Sequence, residues 1–279
     1  MDLSIIIVSW RVKDKLRENL QALFSSELNF SFEVFVVDNN SSDGSVEMIK
    51  NEFPKVKLIA NHDNLGFAKA NNQAIKEAIG NYILLLNPDM LVQADTLDKA
   101  LTWAKNNEQA TVSGFKLLND QGEIIKQVRK FPKLCDQLMI ILKIPHLFPA
   151  VLNNYIPINF DYEKVAKVDS VRGAFFLINV NNYQKLSGQK PLLDERYFIW
   201  FEEVDFCREV YHLGGEVWYS PAASCLDYVG ASFSQVKRGQ TQKYFRNSML
   251  AYFNKWEKKG SYLILKIAWS LIGLFLRQK

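Results

Sequence analysis

Tyr82-Ile83-Leu84-Leu85-Leu86-Asn87-Pro88-Asp89 runs five buried-type residues straight into a turn that ends on a carboxylate. A short, continuous apolar run bounded by turn residues reads as a strand covered on both faces, and Pro88 cannot continue its hydrogen-bond ladder. Working upstream, the same unit recurs three times. Leu3 to Val8 ends at Ser9-Trp10, Val34 to Val37 at Asp38-Asn39-Asn40, and Val56 to Ile59 at the stretch Asn61 to Gly66. Amphipathic segments separate these runs: Leu16, Leu20 and Leu23 at helical spacing, a helix opening near Ser42, another from Gly66 to Ile79, and one from Ala94 to Lys105. Alternating β and α units predict an α/β fold with a mostly parallel sheet and helices on both faces. Such sheets bind ligands beyond the carboxyl ends of their strands, so the residues after each run are the ones to inspect.

The second half is less regular. Val112 to Phe131 predicts a hairpin turning at Asn119-Asp120-Gln121-Gly122, and Leu134 to Leu152, apolar with prolines at 145 and 149, predicts a lid or membrane-facing segment. Strands are expected around Val168 to Val180, at 215–219 and at 223–229, and a helix from Gln235 to Lys258. The stretch Tyr262 to Leu276 is apolar apart from Lys266 and shorter than the ~20 residues that span a bilayer. It reads as an amphipathic tail lying in a membrane interface, with a helix packed on the core as the alternative. The expected organisation is a domain over 1–258, divided into a regular half (1–110) and an irregular half (111–258), with 259–279 as a membrane-associating tail.

Bulk properties narrow the field. The 34 basic and 30 acidic residues leave a net charge of +4, which gives no basis for nucleic-acid binding. Cys135, Cys207 and Cys225 are widely spaced and odd in number, which argues against a disulfide framework or a zinc site. With no basic stretch before Leu3, no signal peptide is read, and the expected location is cytoplasmic, peripheral on the inner face of the cell membrane.

Asp38 is placed to accept hydrogen bonds from a base or ribose; its alternative is a helix cap, which Ser41, Ser42 and Asp43 already offer. Asn64-Leu65-Gly66-Phe67-Ala68-Lys69-Ala70-Asn71-Asn72 sets glycine before a helix whose first N–H groups suit phosphate oxygens, yet neither GxGxxG nor a P-loop is present. A bound diphosphate would then need a cation. Asp89 after Asn87 suits Mg²⁺ or Mn²⁺, which share their coordination with phosphate and water, although an isolated Asn-Pro-Asp is also an ordinary turn. Glu202-Glu203-Val204-Asp205 crowds three carboxylates beside Trp200 and Phe201. Repulsion and desolvation raise such pKa values, as a general base requires; the other reading is helix-start charge. Around Lys237 to Asn247 a basic helix offers Arg238 to a diphosphate or to solvent.

Taken together, these segments resemble the family 2 glycosyltransferases, especially the bacterial rhamnosyltransferase-like branch. The stretches Ser4 to Trp10, Val36 to Ser45, Asn64 to Asn72, Leu84 to Asp89, Val171 to Ile178 and Leu193 to Cys207 carry the resemblance, in the family's order. It implies a GT-A fold and an inverting displacement that moves a sugar, rhamnose by family likeness, from a dTDP- or UDP-sugar to a saccharide or polyprenyl-linked acceptor in cell-surface polysaccharide synthesis. Ser9, Trp10, Asp38, Asn40, Asn64, Gly66, Lys69, Asn72, Asn87 and Arg238 would then serve the donor. Arg172, Gly173, Trp200 and Phe201 would serve the acceptor, and Asp89, Asn87 and Asp227 the metal. Glu203 falls at the family's base position in place of the usual aspartate, so Glu202 and Asp205 stand as competitors. Asp227 stands where many relatives carry histidine, and Arg11 where asparagine is common. The alternative is a non-catalytic nucleotide-sugar-binding homologue.

Overall fold

Alternation along the first strand explains the layering. Leu3–Ser9 (β1) is buried throughout; Ile5 and Ile7 pack with Leu16 and Leu20 on one face, Ile6 and Val8 with Ala68 and Ala74 on the other. A strand apolar on both sides can only lie inside a sheet covered by helices. The computed structural model describes residues 1–26, 28–228 and 238–276, with the side chains of 238 and 272–276 outside that description. After β1 the chain forms Lys13–Ser25 (α1), Phe32–Asp38 (β2), Ser45–Glu52 (α2), Lys57–Ala60 (β3), Phe67–Glu77 (α3), Tyr82–Leu86 (β4), Met90–Val92 (β5), Thr96–Asn106 (α4) and Ala110–Leu118 (β6). There follow Leu134–Ile141 (α5), Ala166–Lys167 (β7), Phe175–Asn179 (β8), Val180–Ser187 (α6), Glu202–His212 (α7), Glu216–Asp227 (β9), Arg238–Trp256 (α8) and Lys259–Leu276 (α9).

The described strands form a sheet in the order β3-β2-β1-β4-β8-β6-β9-β5, with β7 paired to β9. The first four strands are parallel, as the repeated βα pattern predicts. From β8 onward the sheet is mixed: β8 runs against β4 and β6, whereas β6 and β9 are parallel. This antiparallel entry of β8 carries Arg172 and Gly173, just before it, to the carboxyl end of β4.

Several local expectations change. The turn at Asn119 forms, but its return arm keeps a single bridge, Leu118 to Ile124, because β6 is already flanked by β8 and β9. The two strands expected at 215–219 and 223–229 are one continuous β9 ending at Asp227, with a register shift where Ser220 gives way to Ser224 opposite Phe115 and Lys116. Only Phe175–Asn179 of the 168–180 stretch is strand, and β5 has no counterpart in the sequence reading. Part of the helix expected from Gln235, residues 235–237, lies outside the described residues.

The apolar tail forms α9. Leu265 is fully buried with Tyr252 and Phe253, while Leu263, Ile264, Ile267 and Leu271 remain exposed. The helix is therefore packed on the core by one face and apolar on the other. Among the described residues no helix is long and apolar enough to cross a membrane.

Candidate active site

Ser9 and Asp38 are register partners at the ends of β1 and β2, both almost fully buried. Asp38 Oδ2 accepts the Ser41 N–H at 3.0 Å, while Asp38 Oδ1 and Ser9 Oγ are buried with no partner among the described residues. Asp43 supplies the helix-start contacts instead, accepting from Ser45 N–H and Oγ. Buried oxygens without partners are costly, and two at one strand mouth suit a ligand that donates to them. Nearby, Asn40 is exposed with φ of 63°, and the Arg11 guanidinium lies 5.0 Å from the partly buried Trp10 ring.

The Asn-Pro-Asp turn is held from three sides. Asn87 N–H donates to Ala174 at 2.9 Å, Asp89 carbonyl accepts from Tyr228 N–H at 3.1 Å, and Met90 pairs with Asp227 across β5 and β9. Beneath it, Asn19 Nδ2 donates to the carbonyls of Asn87 and Met90 at 3.1 and 2.8 Å. Sequence reasoning missed Asn19, although a polar residue three after Leu16 on the buried face of α1 was the available signal. Asp89 and Asp227 are 7% and 3% exposed, and the Met90–Asp227 pairing sets both residues at the same end of β5 and β9.

The chain then links this pair to the acidic run. Arg172 Nη1 donates to Asp227 Oδ2 at 3.2 Å, and the next residue, Gly173, lies against Glu203: a Cβ built on it would sit 3.5 Å from Glu203 Cβ. Glu202 is buried, Glu203 half-buried, and Oε2 of each has no partner among the described residues. Trp200 and Phe201 enter α7 with φ of 64° and 70°, a conformation that costs large side chains about 1–3 kcal/mol each and aims the helix start.

Electrostatics distinguishes the two glutamates. Burial, reinforced by the charge of Glu203, pushes Glu202 well above the usual carboxylate range. Burial raises Glu203 too, but backbone N–H groups, Arg172 and Arg129 pull it back. Of the two, Glu203 is the one with cationic groups acting on its charged form.

Three expected site residues have other work. Asp205 accepts from Tyr197, Trp256 and Lys255 at 2.9, 2.6 and 2.6 Å; both oxygens are consumed in fixing α7 to α8, so it does not compete as a base. Asn72 exchanges hydrogen bonds with the backbone of Leu193 and is 1% exposed, so it anchors the 193–201 segment rather than meeting a donor. Gly66 is needed for close approach: Phe67 N–H donates to Phe198 carbonyl at 2.6 Å, and any Cβ on Gly66 would collide with that carbonyl. Asn64 closes the turn by accepting from Gly66 N–H, and Lys69 is exposed on α3. The Arg238 side chain lies outside the described residues.

A mixed sheet of this order, with Asp38, the Asn-Pro-Asp turn and the acidic helix start at one end, is the GT-A architecture. The family model "Glycosyl transferase family 2" matches residues 4–160, more than half of the chain, and the chain belongs to that family. It is 25% identical over 255 residues to the rhamnosyltransferase WbbL of Escherichia coli K12, covering 87% of this chain and 90% of that protein. A shorter match, 32% over 117 residues, joins it to YfnE, an uncharacterized glycosyltransferase of Bacillus subtilis, over 41% of this chain but only 30% of that protein. An N-acetylglucosaminyl-diphospho-decaprenol L-rhamnosyltransferase of Mycobacterium tuberculosis is 24% identical over 70% of this chain and 66% of its own length. In fold the chain is similar to S. aureus TarS 1-349 in complex with UDP-GlcNAc (TM-score 0.56, 17% identity, 94% of this chain and 69% of that one). It is also similar to the mannosyltransferase PcManGT of Pyrobaculum calidifontis in complex with GDP-Man and Mn²⁺ (TM-score 0.59, 14% identity, 95% and 68%).

Proposed function

We propose that this glycosyltransferase transfers a sugar from a dTDP- or UDP-sugar, with inversion at the anomeric carbon, to a saccharide or polyprenyl-linked acceptor in cell-surface polysaccharide synthesis. Rhamnose is the sugar that the similarity to rhamnosyltransferases favours. One observation carries the reading. Glu203 against Gly173, Arg172 on Asp227, and Asp227 across from Met90 bring a base and two further carboxylates to the same end of the sheet. An inverting transfer needs both, on opposite sides of the anomeric carbon.

Asp38 Oδ1 and Ser9 Oγ would receive hydrogen bonds from the nucleoside. The residue ranges 1–110 and 111–258 would divide the work between donor and acceptor. Glu203, whose charged form Arg172 and Arg129 favour, would accept the acceptor hydroxyl proton as that oxygen attacks C1 and the C1–O bond to the nucleoside diphosphate breaks. Glu202, held neutral beside it, would leave a single charge at this spot.

Among the described residues no group of three His, Cys, Asp or Glu side chains is placed to hold a metal ion. Asp89 and Asp227, two buried carboxylates, with the Asn87 amide would hold a hard cation that completes its shell with phosphate oxygens and water. Mg²⁺ or Mn²⁺ held by these residues would stabilise the negative charge of the departing diphosphate.

Exposed apolar residues extend this reading to the membrane. Ile264, Ile267 and Leu271 on α9 and Leu147 and Phe148 beyond α5 are exposed, on two segments, 259–276 and 137–160, that hold no acidic residue but include Lys143, Lys259 and Lys266. That composition suits an anionic lipid leaflet. It would hold the enzyme peripherally on the cytoplasmic face, where a lipid-linked acceptor is met.

The test is nucleoside diphosphate release with a panel of dTDP- and UDP-sugars, Mg²⁺ or Mn²⁺, and a lipid-linked saccharide. Acceptor-dependent release with an inverted anomer in the product is the expected result. Nucleotide binding without any transfer would instead mark a non-catalytic homologue.

A further inference from the structure

The residue that the mechanism above leaves unused is Arg129. It is half-buried in the irregular stretch between β6 and α5, and Lys130 N–H, next to it, donates to Tyr155 carbonyl at 2.9 Å. Its Nη1 donates to the carbonyls of Lys126 and Val128 at 2.8 and 2.9 Å; Nε and Nη2 donate to no described residue, and no carboxylate among the described residues pairs with it. Burial lowers its affinity for its proton, and the charge of Arg172 works the same way while that of Glu203 opposes it. Glu203 makes no hydrogen bond to Arg129 among the described residues and acts on Arg172 as well, so a guanidinium withdrawn from water here has N–H groups and charge to offer a further anion supplied from outside.

The backbone places that anion. Arg129 and Ser170 bridge antiparallel, through N–H to carbonyl bonds of 3.0 and 3.1 Å. Two residues beyond Ser170 stands Arg172, near enough for its charge to act on Arg129 and, with it, on Glu203. Arg172 bonds Asp227 through Nη1 alone, and its remaining N–H groups donate to no described residue. Two forked cations thus flank Glu203, which lies against Gly173. From Tyr155, the chain leads back through Val151 to Phe148 and Leu147, 64% and 78% exposed. A ligand using all of this has an anionic head beside the base and an apolar body along 147–155.

We propose that Arg129 and Arg172 form a subsite for the phosphate or diphosphate of a lipid-carried acceptor. This rests on the glycosyltransferase reading only for the word acceptor; the anion site itself is measurable without turnover. Arg forks hold phosphate oxygens in pairs, which fixes the saccharide hydroxyl relative to Glu203 as well as holding the lipid.

The donor's own diphosphate is the other source of the same chemistry, and the experiment separates the two. Binding of a short prenyl diphosphate and of the corresponding prenyl alcohol is measured by calorimetry on the full chain, alone and saturated with UDP or dTDP. The diphosphate should bind at least tenfold more tightly than the alcohol, with nucleotide present as well as absent. Arg129→Gln should weaken the diphosphate about tenfold or more and leave the alcohol and the nucleotide unchanged; Arg129→Lys, which keeps the charge, should restore part of the loss. Competition between nucleotide and prenyl diphosphate, or weaker nucleotide binding in Arg129→Gln, would assign the arginine to the donor and overturn the proposal. Equal binding of diphosphate and alcohol would overturn it too. An unchanged melting temperature checks that Arg129→Gln is folded, and if it is not, the Arg129→Lys and alcohol comparisons decide alone. Should the anion bind as described and no sugar be transferred by the wild-type chain, the glycosyltransferase reading fails while the subsite stands.

Discussion

Gly66→Ala tests whether the acidic helix start depends on the donor-side loop. Gly66 has φ of 84° and ψ of 172°, a region essentially reserved for glycine, and a Cβ there would run into the Phe198 carbonyl and lie 2.8 Å from its ring. Backbone strain contributes about 1–3 kcal/mol, and loss of the Phe67-to-Phe198 hydrogen bond about 1 kcal/mol more. The expected destabilisation is about 2–4 kcal/mol, read as a fall of several degrees in melting temperature. Relief of the clash requires the Phe198 segment to retreat by roughly 1 Å, and a displacement of that size in a catalytic group can cost about 100-fold in rate. Because Phe198 precedes Trp200, Phe201 and Glu202 in one strained stretch, the shift reaches Glu203. The assay pairs thermal melting with nucleoside diphosphate release at saturating donor. A large fall in kcat at a temperature where the variant is fully folded is the prediction. A lower melting temperature with unchanged kcat would refute the coupling between Gly66 and the base.

Other consequences are equally open to measurement. Asn19→Ala leaves the Met90 carbonyl without its buried donor at a cost of about 1–3 kcal/mol, and should weaken metal-stimulated donor binding; calorimetric titration of nucleotide with and without Mn²⁺ would show an unchanged response if the turn holds its shape unaided. Asp194 sits among Arg196 and Lys255, which hold its carboxyl at about 2 against burial. A folded pKa below the unfolded one stabilises above the unfolded value, so Asp194→Asn should cost about 2 kcal/mol at pH 7, about half that near pH 3, and nothing below pH 2. Melting curves across that range that stay parallel would contradict the assignment. Truncating α9 would also remove the buried Leu265, so the membrane test is Ile264→Ser, Ile267→Ser and Leu271→Ser together, on residues 47%, 58% and 53% exposed. Flotation with anionic liposomes should fall at least tenfold while the melting temperature holds, and undiminished flotation would remove α9 from the contact.

The parallel half of the sheet was legible because β1, β2 and β4 are buried on both faces and announce themselves as unbroken apolar runs. β5 was not, since three residues carry no periodicity and Met90–Val92 exists only through its pairing with β9. β9 was split in two because Pro221 resembles a break, yet a register shift absorbs it. At the site, motif position singled out Asp89, Asp227 and Glu203, which the fold sets at the ends of β4 and β9 and at the start of α7. It did not separate Asp205 from its neighbours, because the partners that consume it, Trp256 and Lys255, lie some fifty residues away in the chain. Gly66 and Asn72 illustrate the same limit: their roles are set by Phe198 and Leu193, contacts that no local pattern encodes. Arg129 had no motif at all, and only its burial beside Arg172 and Glu203 marks it.

Glu203→Gln bears most directly on the central claim. The amide keeps the shape and hydrogen-bonding reach of the carboxylate but cannot take a proton, so kcat should fall by about 10²–10⁴. Nucleotide affinity should stay at its wild-type value, since Glu203 faces Arg172 and Gly173 and not the ends of β1 and β2. Transfer measured by nucleoside diphosphate release, beside donor affinity from calorimetry on the same preparation, gives both numbers. Lost turnover with retained donor binding is the predicted pair; near-normal turnover in Glu203→Gln would place the base elsewhere and contradict the account.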